Sequence, residues 1–209
     1  GFDDAEAERA LAGSGFLVER VPDITRRVAE LLADHKIVAR CTGRMEYGPR
    51  SLGHRSILFH AGDPSANDWL NHKLRRSEFM PFAPATLASH AASCYRDLAS
   101  AAYAAEFMTV CFDVEPEFRK QCPAVVHVDG TARPQLVTEA SHPDFHAILS
   151  GYERLTGIGS VVNTSFNIHE EPIVCSPADA VRAFTTAELD HLALGSFLVS
   201  KPRSGDGGR

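Results

Sequence analysis

Apolar and polar positions alternate along the chain in short stretches that predict helices and strands of modest length. Asp23 opens a segment in which Ile24, Val28, Leu31 and Leu32 recur at helical spacing, which predicts a helix capped by Asp23 and running to about Leu32. "KIVARC" is a compact apolar run that predicts a buried strand leading into Thr42 and Gly43, and "RSILFH" predicts a second strand. "DPSANDWLNHKLRR" predicts a helix with Asp63 as N-cap, Pro64 in the first turn, and Ala66, Trp69, Leu70 and Leu74 as its apolar stripe. "FMPFAPATL" carries too much proline for a helix and reads as an extended segment crossing a core. "EFMTVCFDV" has the composition of a strand, and "AVVHVDGTARPQLV" predicts a hairpin of two apolar runs joined through Asp129-Gly130.

Pro143 to Leu155 carries Phe145, Ile148, Leu149 and Tyr152 on one helical face. "GSVVNTSFN" predicts a buried strand ending in small polar residues. "SPADAVRAFTTAEL" opens with Ser176 and Asp179 spaced as a capping box and Pro177 in the first turn. "HLALGSFLVS" predicts one closing strand. Residues 1–20 are acidic, alanine-rich and weakly patterned, and read as a short helix plus linker rather than core. Residues 200–209 predict a disordered tail. The whole is expected to be a mixed α/β single domain over residues 21–199, a sheet with helices on its faces.

At 209 residues and 44% hydrophobic, the chain is long enough to bury one sizeable core. Its net charge of -6 argues against a protein that coats nucleic acid or an anionic membrane with its whole surface, but leaves room for a local basic pocket. No apolar run approaches the roughly 18 residues that would span a bilayer. The start "GFDDAEAERA" lacks the basic and apolar stretches of a signal peptide. Cys41, Cys94, Cys111, Cys122 and Cys175 are scattered, odd in number and never in a CxxC pair, which suits the reduced thiols of a cytoplasmic protein.

Against this acidic background four polar clusters carry candidate chemistry. "GRMEYGPRSLGHRS" places Arg44, Arg50 and Arg55 on a glycine-punctuated turn, where guanidinium forks and free backbone amides suit phosphate oxygens. On spacing alone, a solvated loop with an arginine paired to Glu46 is the stronger reading. "NHKLRRSEF" brings Lys73, Arg75 and Arg76 to a helix end, where cations also simply complement the helix dipole. "DGTARPQ" projects Arg133 from the predicted hairpin. "VVNTSFNIHEEPIV" offers Asn163, Thr164, Ser165 and Asn167 after an apolar strand, as hydroxyls and amides for phosphate oxygens or a bound metal, or as ordinary strand-ending residues. His169, Glu170 and Glu171 lack zincin spacing, and the pair His142 and His146 reads as surface; no metal-ligand set is identified.

In order, "GRMEYGPRSLGHRSIL", "DWLNHKLRRSEFMPFAPATL", "CPAVVHVDGTARPQLV" and "NTSFNIHEEPIVCSPADAVRAF" closely resemble the C-terminal domain of the NodU/CmcH carbamoyltransferases, over about residues 21 to 199. The resemblance implies a YrdC-like α/β fold around a twisted mixed sheet. It also implies conversion of carbamoyl phosphate and ATP, with Mg²⁺, into carbamoyl adenylate, releasing pyrophosphate. Transfer to an acceptor hydroxyl would belong to an N-terminal domain that this sequence lacks and that would be its partner; the opening residues resemble the connector between the two parts.

Carried over, the resemblance makes Arg44, Arg50, Arg55, Lys73, Arg76, Arg133, Asn163, Ser165 and Asn167 the ATP and carbamoyl phosphate site, with Arg50, Lys73, Arg76 and Arg133 catalytic. It favours Arg76 over Arg75. His54 departs from the asparagine common in the family and is given no role. Two other readings stay open: threonylcarbamoyl-adenylate synthesis in a similar pocket, and a non-catalytic nucleotide- or RNA-binding module. The charge balance and the lack of aromatics among the arginines speak against RNA.

Overall fold

The structure, a computed structural model, describes residues 1–73, 81–168 and 171–202. Its strands are β1 (Leu17–Arg20), β2 (Val38–Cys41), β3 (Arg55–His60), β4 (Ala83–Leu87), β5 (Phe112–Asp113), β6 (Thr131–Ala132), β7 (Gln135–Val137), β8 (Ser160–Ser165), β9 (His191–Leu194) and β10 (Phe197–Ser200). Its helices are α1 (Asp4–Leu11), α2 (Ile24–Ala33), α3 (Ala66–Lys73), α4 (Ala91–Cys94), α5 (Ala102–Ala105), α6 (Pro116–Gln121), α7 (Pro143–Thr156) and α8 (Pro177–Thr186). Eight strands form one mixed sheet in the order β1-β10-β9-β2-β3-β8-β4-β7, parallel at β2–β9 and β4–β7 and antiparallel elsewhere; β5 and β6 pair apart from it.

Strand periodicity divides the interior in two. Val38, Leu58, Ala85 and Val161 turn toward α2 and α7, whereas Ala39, Ile57, Phe59 and Val162 turn toward the opposite core shared with α1 and α8. The expected helix caps form: Asp23 accepts from the Arg26 amide at 3.0 Å, and Ser176 with Asp179 closes the capping box of α8. No helix among the described residues is long and apolar enough to cross a membrane.

The structure departs from the sequence pattern in several places. "EFMTVCFDV" is strand only at Phe112–Asp113, and Met108 within it has a φ of 55°. A strand-like composition becomes a strand only where a neighbour completes the ladder. The Asp129-Gly130 turn forms, with Gly130 at φ 85° and its N–H donating to the His127 carbonyl at 3.0 Å. Beyond the bond from the His127 N–H to the Thr131 carbonyl at 2.7 Å, its flanks form no ladder with each other: Pro123–Val125 is a single 3₁₀ turn, β6 pairs with β5, and β7 joins β4 in parallel. The closing segment is two strands, β9 and β10, folded back as a hairpin around Gly195 and Ser196.

The N-terminal residues, expected to lie outside the core, pack onto the fold. Ala7 and Leu11 of α1 are buried, β1 adds an edge strand to β10, and Asp4 accepts from the Ser196 amide and pairs with Arg20, each at 3.2 Å. All four β1 side chains are exposed, so the edge strand leaves no alternation to read. At the other end Ser200 belongs to β10 and the Lys201 ammonium donates to the Ala187 carbonyl; the rest of the expected tail, from residue 203, lies outside the described residues.

Candidate functional site

The glycine-punctuated loop connects β2 to β3 and is held by one carboxylate. Oε1 of Glu46 accepts from the backbone amides of Leu52 at 2.7 Å, His54 at 2.8 Å and Arg55 at 3.2 Å. Glu46 is therefore spent on the loop's own backbone rather than on an arginine. A carboxylate accepting several amides fixes a turn firmly, because each bond is charge-assisted. Gly53 has a φ of 111°, and a Cβ there would lie 2.5 Å from the Phe145 ring, so position 53 takes only glycine.

Two buried amide side chains tie the same loop to the sheet. Gln135, at the start of β7, donates from Nε2 to the Leu52 carbonyl at 2.8 Å. Asn163, near the end of β8, donates from Nδ2 to the Ser51 carbonyl at 3.2 Å and to Oε1 of Gln135 at 2.9 Å. These bonds set Arg50 at the end of β8, opposite Arg133, which sits between β6 and β7.

A cavity of about 70 Å³ lies between them, lined in part by Arg50, Ser51, Arg133, Asn163, Thr164 and Ser165. It adjoins a cleft of about 460 Å³ that shares Arg50, Arg133 and Met108 and is flanked by Tyr47 and Phe107. No carboxylate lines either space among the described residues, and neither arginine has an ion-pair partner among them. Burial lowers the pKa of Arg133 below the usual guanidinium value, and the positive charge of Arg50 lowers it further. Two like charges facing one space repel each other, and an anion between them relieves that repulsion.

Of the other residues expected at the site, Ser165 alone lines the cavity among the described residues. Arg55 is 1% exposed and spends its donors on the carbonyls of Thr42, Gly43, His54 and Cys175, with the Phe2 ring 5.4 Å from its guanidinium carbon. Its expected role as a ligand residue is corrected: register places it on β3, where its side chain turns inward and staples two loops. Arg44 is exposed beside Gly1, away from the cavity. Lys73 is not among the lining residues and holds its ammonium 5.5 Å from the Trp69 ring centroid. Arg75 and Arg76 lie outside the described residues, as do His169 and Glu170. Ser165 lines the cavity but donates its hydroxyl to Oδ1 of Asn167 at 2.7 Å, while Asn167 donates to the carbonyls of Ile168 and Glu171 and does not itself line the cavity.

Several participants were not singled out from the sequence. Tyr47 stands fully exposed at the cleft, Phe107 and Met108 form its far wall, and Gln135 anchors the loop; Tyr47 and Gln135 lie within the arginine-bearing motifs but carry no charge themselves. Arg40, on β2, is buried and donates to the Gly53 carbonyl, with Asp144 3.7 Å away; loss of water lowers its pKa to about 10. His54 lies 3.9 Å from Oε1 of Glu46 and its ring centroid 5.7 Å from that of His142. Burial lowers its pKa first, and the charge of Arg40 lowers it again.

The fold is shared with known proteins. Among solved structures, Sua5 of P. abyssi (an H234A/Y235A variant) is similar with a TM-score of 0.54 at 14% identity, over 90% of this chain and 52% of that one. Full-length HypF, in a phosphate- and nucleotide-bound form, also has a TM-score of 0.54, at 18% identity over 86% of this chain and 22% of that one. The fold is thus the YrdC-like one.

Sequence similarity is stronger. Nodulation protein NolNO of Sinorhizobium fredii is 37% identical over 96% of this chain and 30% of its own length. Nodulation protein NolO of Bradyrhizobium diazoefficiens is 35% identical over 91% and 35%, and nodulation protein U of Rhizobium tropici 36% identical over 88% and 31%. The chain spans about a third of the length of these relatives. Residues 29–201 match the model of the carbamoyltransferase C-terminus, so the loop, the facing arginines and the strand-end amides described above are those of a chain that belongs to the carbamoyltransferase C-terminal domain family.

Proposed function

We propose that this domain performs the activating half of a carbamoyltransferase reaction, making carbamoyl adenylate from carbamoyl phosphate and ATP. The observation that carries the proposal is the facing pair Arg50 and Arg133, which among the described residues have no ion-pair partner and no carboxylate around the cavity they share. Atom balance divides the chemistry in two. Water attacks the phosphorus of carbamoyl phosphate, the P–O bond to the carbamoyl oxygen breaks, and carbamate and dihydrogen phosphate result. A carbamate oxygen then attacks the α-phosphorus of ATP, and the bond to the α–β bridging oxygen breaks with its electron pair leaving on pyrophosphate.

Both steps move negative charge between oxygens, and the work asked of the protein is positioning and neutralisation rather than a covalent nucleophile. Arg50 and Arg133 hold phosphate oxygens from opposite sides, and Tyr47 with Phe107 offers aromatic faces to the base. Mg²⁺, when bound, adds neutralisation of the triphosphate. With no carboxylate among the described lining residues it would be carried by phosphate oxygens, and no step is assigned through it. Transfer of the carbamoyl group to an acceptor hydroxyl falls to the part of the protein outside this chain.

The test is release of pyrophosphate and phosphate in equal amounts from ATP, Mg²⁺ and carbamoyl phosphate, with each reactant omitted in turn. Release that needs carbamoyl phosphate supports the proposal. Failure to release pyrophosphate from the full-length protein, with both ligands shown to bind, overturns it.

A further inference from the structure

The cavity between the arginines holds an acceptor that an anion does not need. Three buried polar atoms of its lining residues, Oγ of Ser51, Nε of Arg133 and Oδ1 of Asn163, have no hydrogen-bond partner among the described residues. Asn163 is 1% exposed, and a polar atom so deeply buried is normally satisfied.

From the sequence alone, Asn163 offers an amide to phosphate oxygens. The structure reverses that role. Its amide nitrogen is committed to the Ser51 carbonyl and to Oε1 of Gln135, and Gln135 is itself oriented by donating to the Leu52 carbonyl. Two backbone carbonyls, which can only accept, therefore fix which way both side-chain amides point. What Asn163 has left is a carbonyl oxygen, and a carbonyl oxygen repels an unprotonated phosphate oxygen. Its partner must be a ligand N–H or O–H, next to an oxygen that can accept from Nε of Arg133.

A group with an NH₂ and an oxygen on one carbon meets both demands. The cavity of about 70 Å³ is several times what a water needs, on the order of 10–15 Å³. We propose that Oδ1 of Asn163 accepts a hydrogen bond from the NH₂ of the carbamoyl group while Arg133 donates to an oxygen of the same ligand. Asn163 then selects carbamoyl phosphate over acyl phosphates of the same shape. This inference rests on the function proposed above and assigns the part of the site that reads the carbamoyl end.

The test compares carbamoyl phosphate with acetyl phosphate, in which a methyl replaces the NH₂. The native protein is expected to use acetyl phosphate about 10- to 100-fold less efficiently, the usual cost of leaving a buried acceptor without a donor. Asn163→Leu should lose a similar factor on carbamoyl phosphate and little on acetyl phosphate, bringing the two toward equality. Leucine also leaves the Ser51 and Gln135 carbonyls unpaired, so a native readout stands beside it. The side-chain amide resonance of Asn163 in the unmodified protein should shift with carbamoyl phosphate and not with acetyl phosphate.

Equal use of the two phosphates by the native protein, discrimination that survives in Asn163→Leu, or a resonance that ignores carbamoyl phosphate each overturns the inference. Failure of the broader proposal looks different. Calorimetric binding that favours carbamoyl phosphate, without pyrophosphate release, leaves this assignment standing and removes the reaction. Absence of any binding removes both.

Discussion

Arg50, on the loop between β2 and β3, and Arg55, at the start of β3, have opposite surroundings. Arg55 is buried against four backbone carbonyls, whereas Arg50 is exposed at a cleft opposite Arg133 and has no ion-pair partner among the described residues. A buried guanidinium persists because backbone acceptors replace its water, and its removal leaves them unsatisfied. An exposed guanidinium held near another cation adds little to stability and keeps its donors open to a ligand. One arginine maintains the loop, and the other uses it.

Exchanging the two roles gives the largest effects. Arg50→Ala should lower pyrophosphate release by at least about 100-fold and leave the melting temperature nearly unchanged, as for most surface substitutions. Arg55→Met should do the reverse, costing about 3 kcal/mol of stability and so roughly 6–12 °C in melting temperature for a domain of this size. Measured by pyrophosphate assay and thermal denaturation, a large stability loss in Arg50→Ala or a full-stability Arg55→Met would erase the contrast.

Glu46 joins the two regions, since one carboxylate oxygen collects the amides of Leu52, His54 and Arg55. Glu46→Ala should cost about 2 kcal/mol and also reduce activity, because the loop that carries Arg50 loosens with it. A variant that loses stability at unchanged activity would show that Arg50 is positioned by Gln135 and Asn163 alone.

A smaller effect is expected with pH. His54 and His142 beside the loop have pKa values lowered by burial, as do His60, His127 and His191 elsewhere. Each holds a proton less readily folded than unfolded, so the stability it contributes is complete above the ordinary value of 6.5 and is lost as pH falls below it. Thermal denaturation should show a midpoint that declines as pH drops from neutral through that value. A midpoint that rises would contradict the burial of these rings.

The smallest expected signal is chemical. Burial pushes the thiols of Cys41 and Cys122 up to about 12 and that of Cys94 to about 11, while Cys111 and Cys175 are exposed. Alkylation of the native protein should modify Cys111 and Cys175 alone. Cys175 lies where its own carbonyl receives Arg55, so Arg55→Met should also make the buried Cys41 reactive by loosening that junction.

What was legible in the chain was local. The caps of α2 and α8, the buried strands β2, β3, β4 and β8, and the ordered polar motifs all follow from patterns within a dozen residues, because helix periodicity, capping and apolar runs act over one or two turns. Those patterns also brought Arg50, Arg133, Asn163 and Ser165 forward as candidates, and the fold gathers them around one cavity.

Tertiary structure decided the rest. Which strand β6 and β7 choose, and whether residues 1–20 join the sheet, depend on partners far along the chain. The same holds for the direction of an individual side chain. Arg55 turns inward because it starts β3, and Asn163 presents only its carbonyl because Gln135, distant in sequence, has taken its amide. Composition and spacing can nominate an arginine or an asparagine for a site, but whether its donors remain for a ligand depends on which acceptors the folded chain has already placed against them.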